Sequence, residues 1–169
     1  CRRNTTDGYG NCKRIMIVTV SGTNRKITDL TESLVQYCAD KLKIKDSVVI
    51  DIEFSKSLYK EDGLLGEVDF DDSNHNPKEF TITVDSTGSR RRMMETIAHE
   101  MVHVKQYSKG ELVDLSRSNS TRWQNNIIDK STNYWDLPWE IEAHGKELGL
   151  FIRWAEDKEL SNQVWTQTQ

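Results

Sequence analysis

Thr96-Ile97-Ala98-His99-Glu100-Met101-Val102-His103-Val104-Lys105-Gln106-Tyr107 is the stretch that decides how the rest of this chain is read. Residues four apart on an α-helix lie about one turn apart on the same face, so the imidazoles of His99 and His103 can reach a single metal ion. Glu100 then stands beside that ion. Two neutral nitrogen ligands with an adjacent carboxylate are what a metal-activated water requires: ligands for the cation and a base for the proton. Five positions with two wild cards also arise by chance, so the surrounding helix carries weight. Met93, Met94, Ile97, Ala98, Met101, Val102 and Val104 supply an apolar back at mixed three and four spacing, while His99, His103 and Gln106 fall on a more polar stripe. Ser89 is placed to cap the start.

Upstream, Thr81-Ile82-Thr83-Val84 leads through Asp85-Ser86-Thr87-Gly88-Ser89 into this helix. Glu79 to Val84 and Leu64 to Phe70 read as short strands on either side of the turn-rich residues 71–77, which together make a hairpin. Lys13 to Val20 and Ser47 to Phe54 carry β-branched runs and read as two further strands. Between them, Leu30, Leu34, Val35, Cys38, Ala39 and Leu42 predict a helix over 28–43 capped by Thr28 or Asp29. Residues 110–137 predict an irregular connector with a short helix near Trp123 to Ile128. Pro138 suits the first turn of a second long helix reaching about Asp157, with Ile141, Leu148, Leu150, Phe151 and Trp154 available for packing. The expected fold is α+β, a small mixed β-sheet packed on the metal helix. Residues 1–169 fit one domain, with 1–12 and 161–169 as flexible ends.

With 23 Lys and Arg against 27 Asp and Glu, the net charge is −4, which argues against broad binding to nucleic acid. No stretch fits a membrane span, because the apolar run Ile15 to Val20 is far shorter than the roughly 20 residues a bilayer helix needs. Cys1, Cys12 and Cys38 are odd in number and lack C-x-x-C spacing, so neither a disulfide framework nor a thiolate zinc site is indicated and a reducing, cytoplasmic setting is expected. Cys1-Arg2-Arg3-Asn4 does not read as a secretory signal. Arg90-Arg91-Arg92 opposes the dipole at the start of the metal helix. Solvated surface charge is the plain reading of that run, and a substrate-facing anion site the sharper one. Trp123, Trp135, Trp139 and Trp154 read as core or cleft-wall packing, with stacking on single-stranded DNA as the alternative.

Two imidazoles do not complete a catalytic zinc site, which usually takes three protein ligands. The third donor is sought in Pro138-Trp139-Glu140-Ile141-Glu142-Ala143-His144, where Glu140 and His144 share a helix face and Glu142 points elsewhere. With this block added, the chain resembles the zincin metallopeptidases, and within them the gluzincins, whose second helix supplies a glutamate followed three positions later by a small residue. Glu140 with Ala143 matches that pattern better than Glu142 with Gly145. The likeness covers roughly residues 80–155 and is greatest to the small SprT-like peptidase domains of phage and bacterial genomes. A SprT-proper pattern would use a third His, which keeps His144 as a competing ligand; otherwise His144 suits a partner that orients a metal-bound imidazole.

The resemblance implies a zincin-like fold with zinc held by His99, His103 and Glu140, Glu100 as general base, and hydrolysis of a protein or peptide substrate. It implies the cytoplasm, that of the host if the chain is phage-encoded. It also implies that the strand before the metal helix, Phe80 to Asp85, pairs with extended substrate. Tyr134, Tyr107, His144 and the arginines are candidates to steady an oxyanion, and no spacing selects among them. Two other classes compete with the peptidase: a non-catalytic zinc-binding module, and a DNA-associated protease of the SprT type acting on DNA-bound proteins.

Overall fold

The computed structural model describes residues 16–44, 47–70, 76–115 and 119–167. It is a mixed α+β structure, with a four-stranded mixed sheet, a three-stranded antiparallel sheet and five helices among the described residues. The larger sheet has the order β1 (Ile17–Ser21), β2 (Val49–Ser55), β4 (Glu79–Asp85), β3 (Gly66–Phe70). β1 and β4 run parallel to β2, and β3 runs antiparallel to β4. The hairpin expected of 64–84 is therefore present, while residues 71–75 of its loop, like the calls on Cys1, Cys12 and residues 1–12, lie outside the described residues.

Side chains alternate between the two faces of a strand, so register decides what the sheet presents. One row aligns Val18, Ile50, Phe80 and Phe70, and the next aligns Val20, Ile52, Ile82 and Val68. These rows face the core, whereas Thr19, Asp51, Thr81 and Asp69 make a polar row on the other face. The third inward row runs Phe54, Val84 and ends at Gly66, where a side chain is missing. β4 is interior, with β2 on one side and β3 on the other. The rail implied at Phe80 to Asp85 thus has no free edge, since both sides of its backbone already serve neighbouring strands. The edge strand beside the metal helix is β3.

Helices α1 (Arg25–Leu42) and α3 (Arg90–Ser108) cover the inward face, and α4 (Pro138–Asp157) packs on α3. α1 begins three residues earlier than 28–43 predicts, because the Asn24 side chain accepts a hydrogen bond from the Ile27 amide and caps it. Ser89 caps α3 as expected, accepting from the Arg92 amide. All seven residues of the apolar back of α3 are buried except Met93, which is half-buried. Cys38 is fully buried on α1, and desolvation pushes its thiol well above the ordinary range.

Four readings of the sequence are corrected. The connector is ordered: β5 (Leu112–Leu115), β6 (Ser120–Trp123) and β7 (Asn126–Asp129) form the second sheet, and the pair Trp123 and Asn126 closes a tight turn where a helix was predicted near Trp123 to Ile128. Strands of four residues are too short to show the alternation that identifies them. On α4 the buried stripe is Glu140, Ala143, Phe151, Trp154 and Ala155, whereas Ile141 and Leu148 are exposed. The expected packing face included them because hydrophobicity was followed over a stripe whose first half is polar. Lastly, within the end expected to be flexible, Val164–Gln167 is a short helix, α5, and Trp165 sits against Phe151 and Trp154 at ring distances of 6.3 and 6.4 Å.

Trp154 is wholly buried and donates to Ser33 Oγ on α1, so it ties α4 to α1. Trp154→Ala is expected to cost about 3–5 kcal/mol in chemical denaturation. Trp135→Ala, at a position 69% exposed, should stay within about 0.5 kcal/mol of the parent.

Candidate metal centre

α3 and α4 meet face to face, and their contact stripe is apolar at one end and ionisable at the other. His99 and His103 on α3 point their Nε2 atoms at each other, 3.1 Å apart. Glu140, in the first turn of α4, places Oε2 3.4 Å from His99 Nε2 and Oε1 3.5 Å from His103 Nε2. A tetrahedral ion with ligands at about 2.0–2.1 Å needs donors about 3.3–3.4 Å apart, which is the size of this triangle. His144 also belongs to the cluster: ligand atoms of His99, Glu140 and His144 all lie within 4.8 Å of one another, a His/Glu/His group that could hold a metal ion.

The outer nitrogens fix the tautomers. Gln106 is fully buried and its Nε2 donates to Trp139 O and Glu142 Oε2, so its Oε1 must be the atom facing His103 Nδ1 at 2.8 Å. His103 Nδ1 is therefore the donor, and its Nε2 carries the lone pair. On the other imidazole, His99 Nδ1 donates to Glu147 Oε2 at 2.6 Å. Both rings are thus turned with Nε2 inward, as a metal site needs. His144 has neither nitrogen free, with Nε2 3.2 Å from the Tyr134 hydroxyl and Nδ1 3.2 Å from Glu147 Oε2. Its ring lies 4.5 Å from that of His99, so it walls the site and shares Glu147. Glu142 is turned away to Lys105 and Lys146 at 2.9 and 2.8 Å and reaches the site only through Gln106.

Electrostatics follow from these contacts. Burial alone would pull the His99 imidazolium down, but the bonds to Glu140 and Glu147 outweigh it and raise its pKa to about 9. Metal binding there has to displace a proton. Burial likewise pushes Glu140 up, yet bonds to His103 and His99 hold its carboxyl well below the ordinary carboxylate range. Glu100 behaves differently: it accepts no hydrogen bond from the described residues, and desolvation raises its pKa. Tyr134 donates to Glu140 Oε2 at 2.7 Å, and burial, followed by that bond, keeps its hydroxyl protonated.

Gly66 explains how Glu100 fits. A Cβ there would stand 2.5 Å from Thr96 Cγ2 and 2.8 Å from Glu100 Oε1, so the absent side chain on the third inward row is the space the carboxylate occupies. The edge strand therefore lies against the metal helix at the level of Glu100. Leu64, Leu65 and Gly66 form one wall of a cleft, Tyr134, Trp135 and His144 another, with His99 and Glu100 between them. Gly66 and Glu147 were missed in the sequence. Glu147 had a signal, since Glu140, His144 and Glu147 recur at four and three spacing on one face; Gly66 had none, because its constraint comes from another element.

The chain matches no protein-family model, no curated protein and no solved structure. No described helix is long and apolar enough to cross a membrane.

Two outcomes test this geometry. Glu147→Gln should weaken binding of added zinc, titrated against a competing chelator, by about 10–100-fold, because the acceptor that orients the His99 ring loses its charge and the amide can present NH2 in its place. Gly66→Ala should lower stability by about 1–3 kcal/mol in denaturation. Thr96→Ser, which removes the nearest colliding methyl group, should return part of that loss.

Proposed function

We propose that this chain is a zinc-dependent peptidase of the zincin type, resembling the gluzincins and SprT-like domains in its motifs, with His99, His103 and Glu140 as ligands and Glu100 as general base. The observation that carries the reading is the pairing of a zinc-sized donor triangle with a buried, uncommitted carboxylate next to it. A purely structural site has no use for such a base. Glu140 is favoured over His144 as third ligand because it reaches both imidazoles and because both nitrogens of His144 are engaged elsewhere. When bound, zinc supplies Lewis acidity towards water and the scissile carbonyl.

The remaining steps belong to the chain's own side chains. Glu100 takes the proton of the attacking water as the new C–O bond forms, and returns it to the amine as the C–N bond breaks. The Tyr134 hydroxyl on the cleft wall, whose one proton goes to Glu140 Oε2 in this structure, steadies the oxyanion by turning from that bond to the substrate. Extended substrate pairs with β3, whose outer edge has no neighbouring strand among the described residues. Hydrophobic contacts come from Leu64 and Trp135, both exposed at the cleft.

Elemental analysis of identically purified proteins is expected to give one zinc per chain in the parent and in Glu100→Gln, and none in His99→Ala or Glu140→Ala. Against a fluorescent protein substrate, Glu100→Gln should be slower by about 10²–10⁴-fold and Tyr134→Phe by about 10²-fold. A parent protein that takes up no zinc when the ion is added overturns the reading.

A further inference from the structure

Resting on the peptidase reading, we infer that Arg92 selects substrate by holding a carboxylate about three residues to the C-terminal side of the scissile bond. Three consecutive arginines open α3, and the structure gives them different tasks. Arg91 is consumed internally: Nε meets Glu95 at 2.7 Å, Nη1 donates to Thr166 O, and the guanidinium lies 5.3 Å over Phe151. Arg90 lies 5.1 Å over the Trp165 ring. Arg92 is exposed, its side chain has no hydrogen bond or ion pair among the described residues, and it lines the cleft that contains His99 and Glu100. Its stem runs beside Gly88, whose Cβ would be 3.5 Å from Arg92 Cγ. Among the described residues it is the one Lys or Arg on the cleft walls, which otherwise carry Glu95, Glu100 and Glu147.

Position follows from the helix. Arg92, Thr96, His99 and His103 share a face of α3, and seven residues at 1.5 Å each put Arg92 about 10 Å along the axis from His99. An extended chain covers that distance in about three residues. Direction follows from β3, which has Gly66 beside Thr96 and Glu100 and Phe70 ring-to-ring with Tyr107 at 4.5 Å, and so runs the same way as α3. Substrate added to β3 in the antiparallel sense, the more stable pairing per residue, enters at the Tyr107 end and leaves towards Arg92, with its C-terminal part there. Carboxylates nearer the scissile bond meet Glu100 and Glu147 and are repelled, so acidity is accepted at one end only.

The test is digestion of a random octapeptide library by the zinc-loaded full chain, with cleavage sites read by mass spectrometry against Glu100→Gln as background. Asp and Glu should be enriched about 2–5-fold at the third position after the cut, the size expected of a solvated ion pair. The enrichment should shrink between roughly 0.05 and 0.5 M salt, which a packing role for Arg92 would not produce. Arg92→Lys should retain it, Arg92→Ala abolish it and Arg92→Glu replace it with Lys and Arg. Comparing free and C-terminally amidated libraries tells a side-chain carboxylate from a terminal one. Cleavage without acidic preference, or preference surviving in Arg92→Ala, overturns the role of Arg92 alone. No cleavage above background overturns the peptidase reading and this role with it.

Discussion

Everything in the second half of the chain depends on the meeting of α3 and α4 through charged and polar groups that neither helix could bury alone. Two imidazoles, four carboxylates, a carboxamide and a phenol converge in a small space, and an unpaired charge in such a place costs several kcal/mol. The structure meets that cost by giving almost every atom a partner: Gln106 for His103, Glu147 for His99, Tyr134 for Glu140, Lys105 for Glu142. Glu100 is left out of the pairing. A buried carboxylate with no hydrogen-bond partner among the described residues, next to the donor triangle, is the observation from which the proposed chemistry starts.

The apolar framework exists to hold that meeting at one spacing. Trp154 and Phe151 lock the C-terminal half of α4 onto α1 and α3, and the short helix α5 adds Trp165 to the same cluster. That anchorage lies three to four turns from Glu140, so the polar end of the helix is positioned by packing it does not take part in. The second sheet has a complementary task. It carries the chain from the end of α3 back to Pro138, and its Trp123 packs at 6.3 Å from Trp139, next to the carbonyl that fixes Gln106. A cavity in either cluster would be felt at the imidazoles.

Much of this was legible in the sequence, and the pattern of success has a physical cause. The His99, Glu100 and His103 spacing, the apolar back of α3 and the Ser89 cap are local features of one helix, and one-helix geometry is set by adjacent residues. Residues 138–144 hold three possible donors, and Glu140 was preferred among them through the resemblance to the gluzincin pattern, with Ala143 three positions on. The errors are of another kind. Ile141 and Leu148 were assigned to packing because they are apolar, yet the stripe they lose to is polar on account of α3. The β5–β7 strands are four residues each and take their stability from pairing, not from any periodicity within one segment. The peptide rail was placed on β4 because it precedes α3, whereas edge status is a property of strand order.

Gly66 joins the two halves of the molecule. Its inward position on β3 follows Phe70 and Val68, both of which fill the core, so the register predicts a third apolar side chain there. A side chain would hold β3 away from α3 and drive Glu100 off its present site. Glycine lets the strand edge approach the base, and an extended chain added to that edge then passes directly over Glu100. The same close approach fixes the relative direction of the two elements, since β3 and α3 must run together for Gly66 to meet Glu100 and Phe70 to meet Tyr107. On the proposed peptidase reading, that one missing side chain brings the free edge of β3, and not the paired β4, to the level of Glu100.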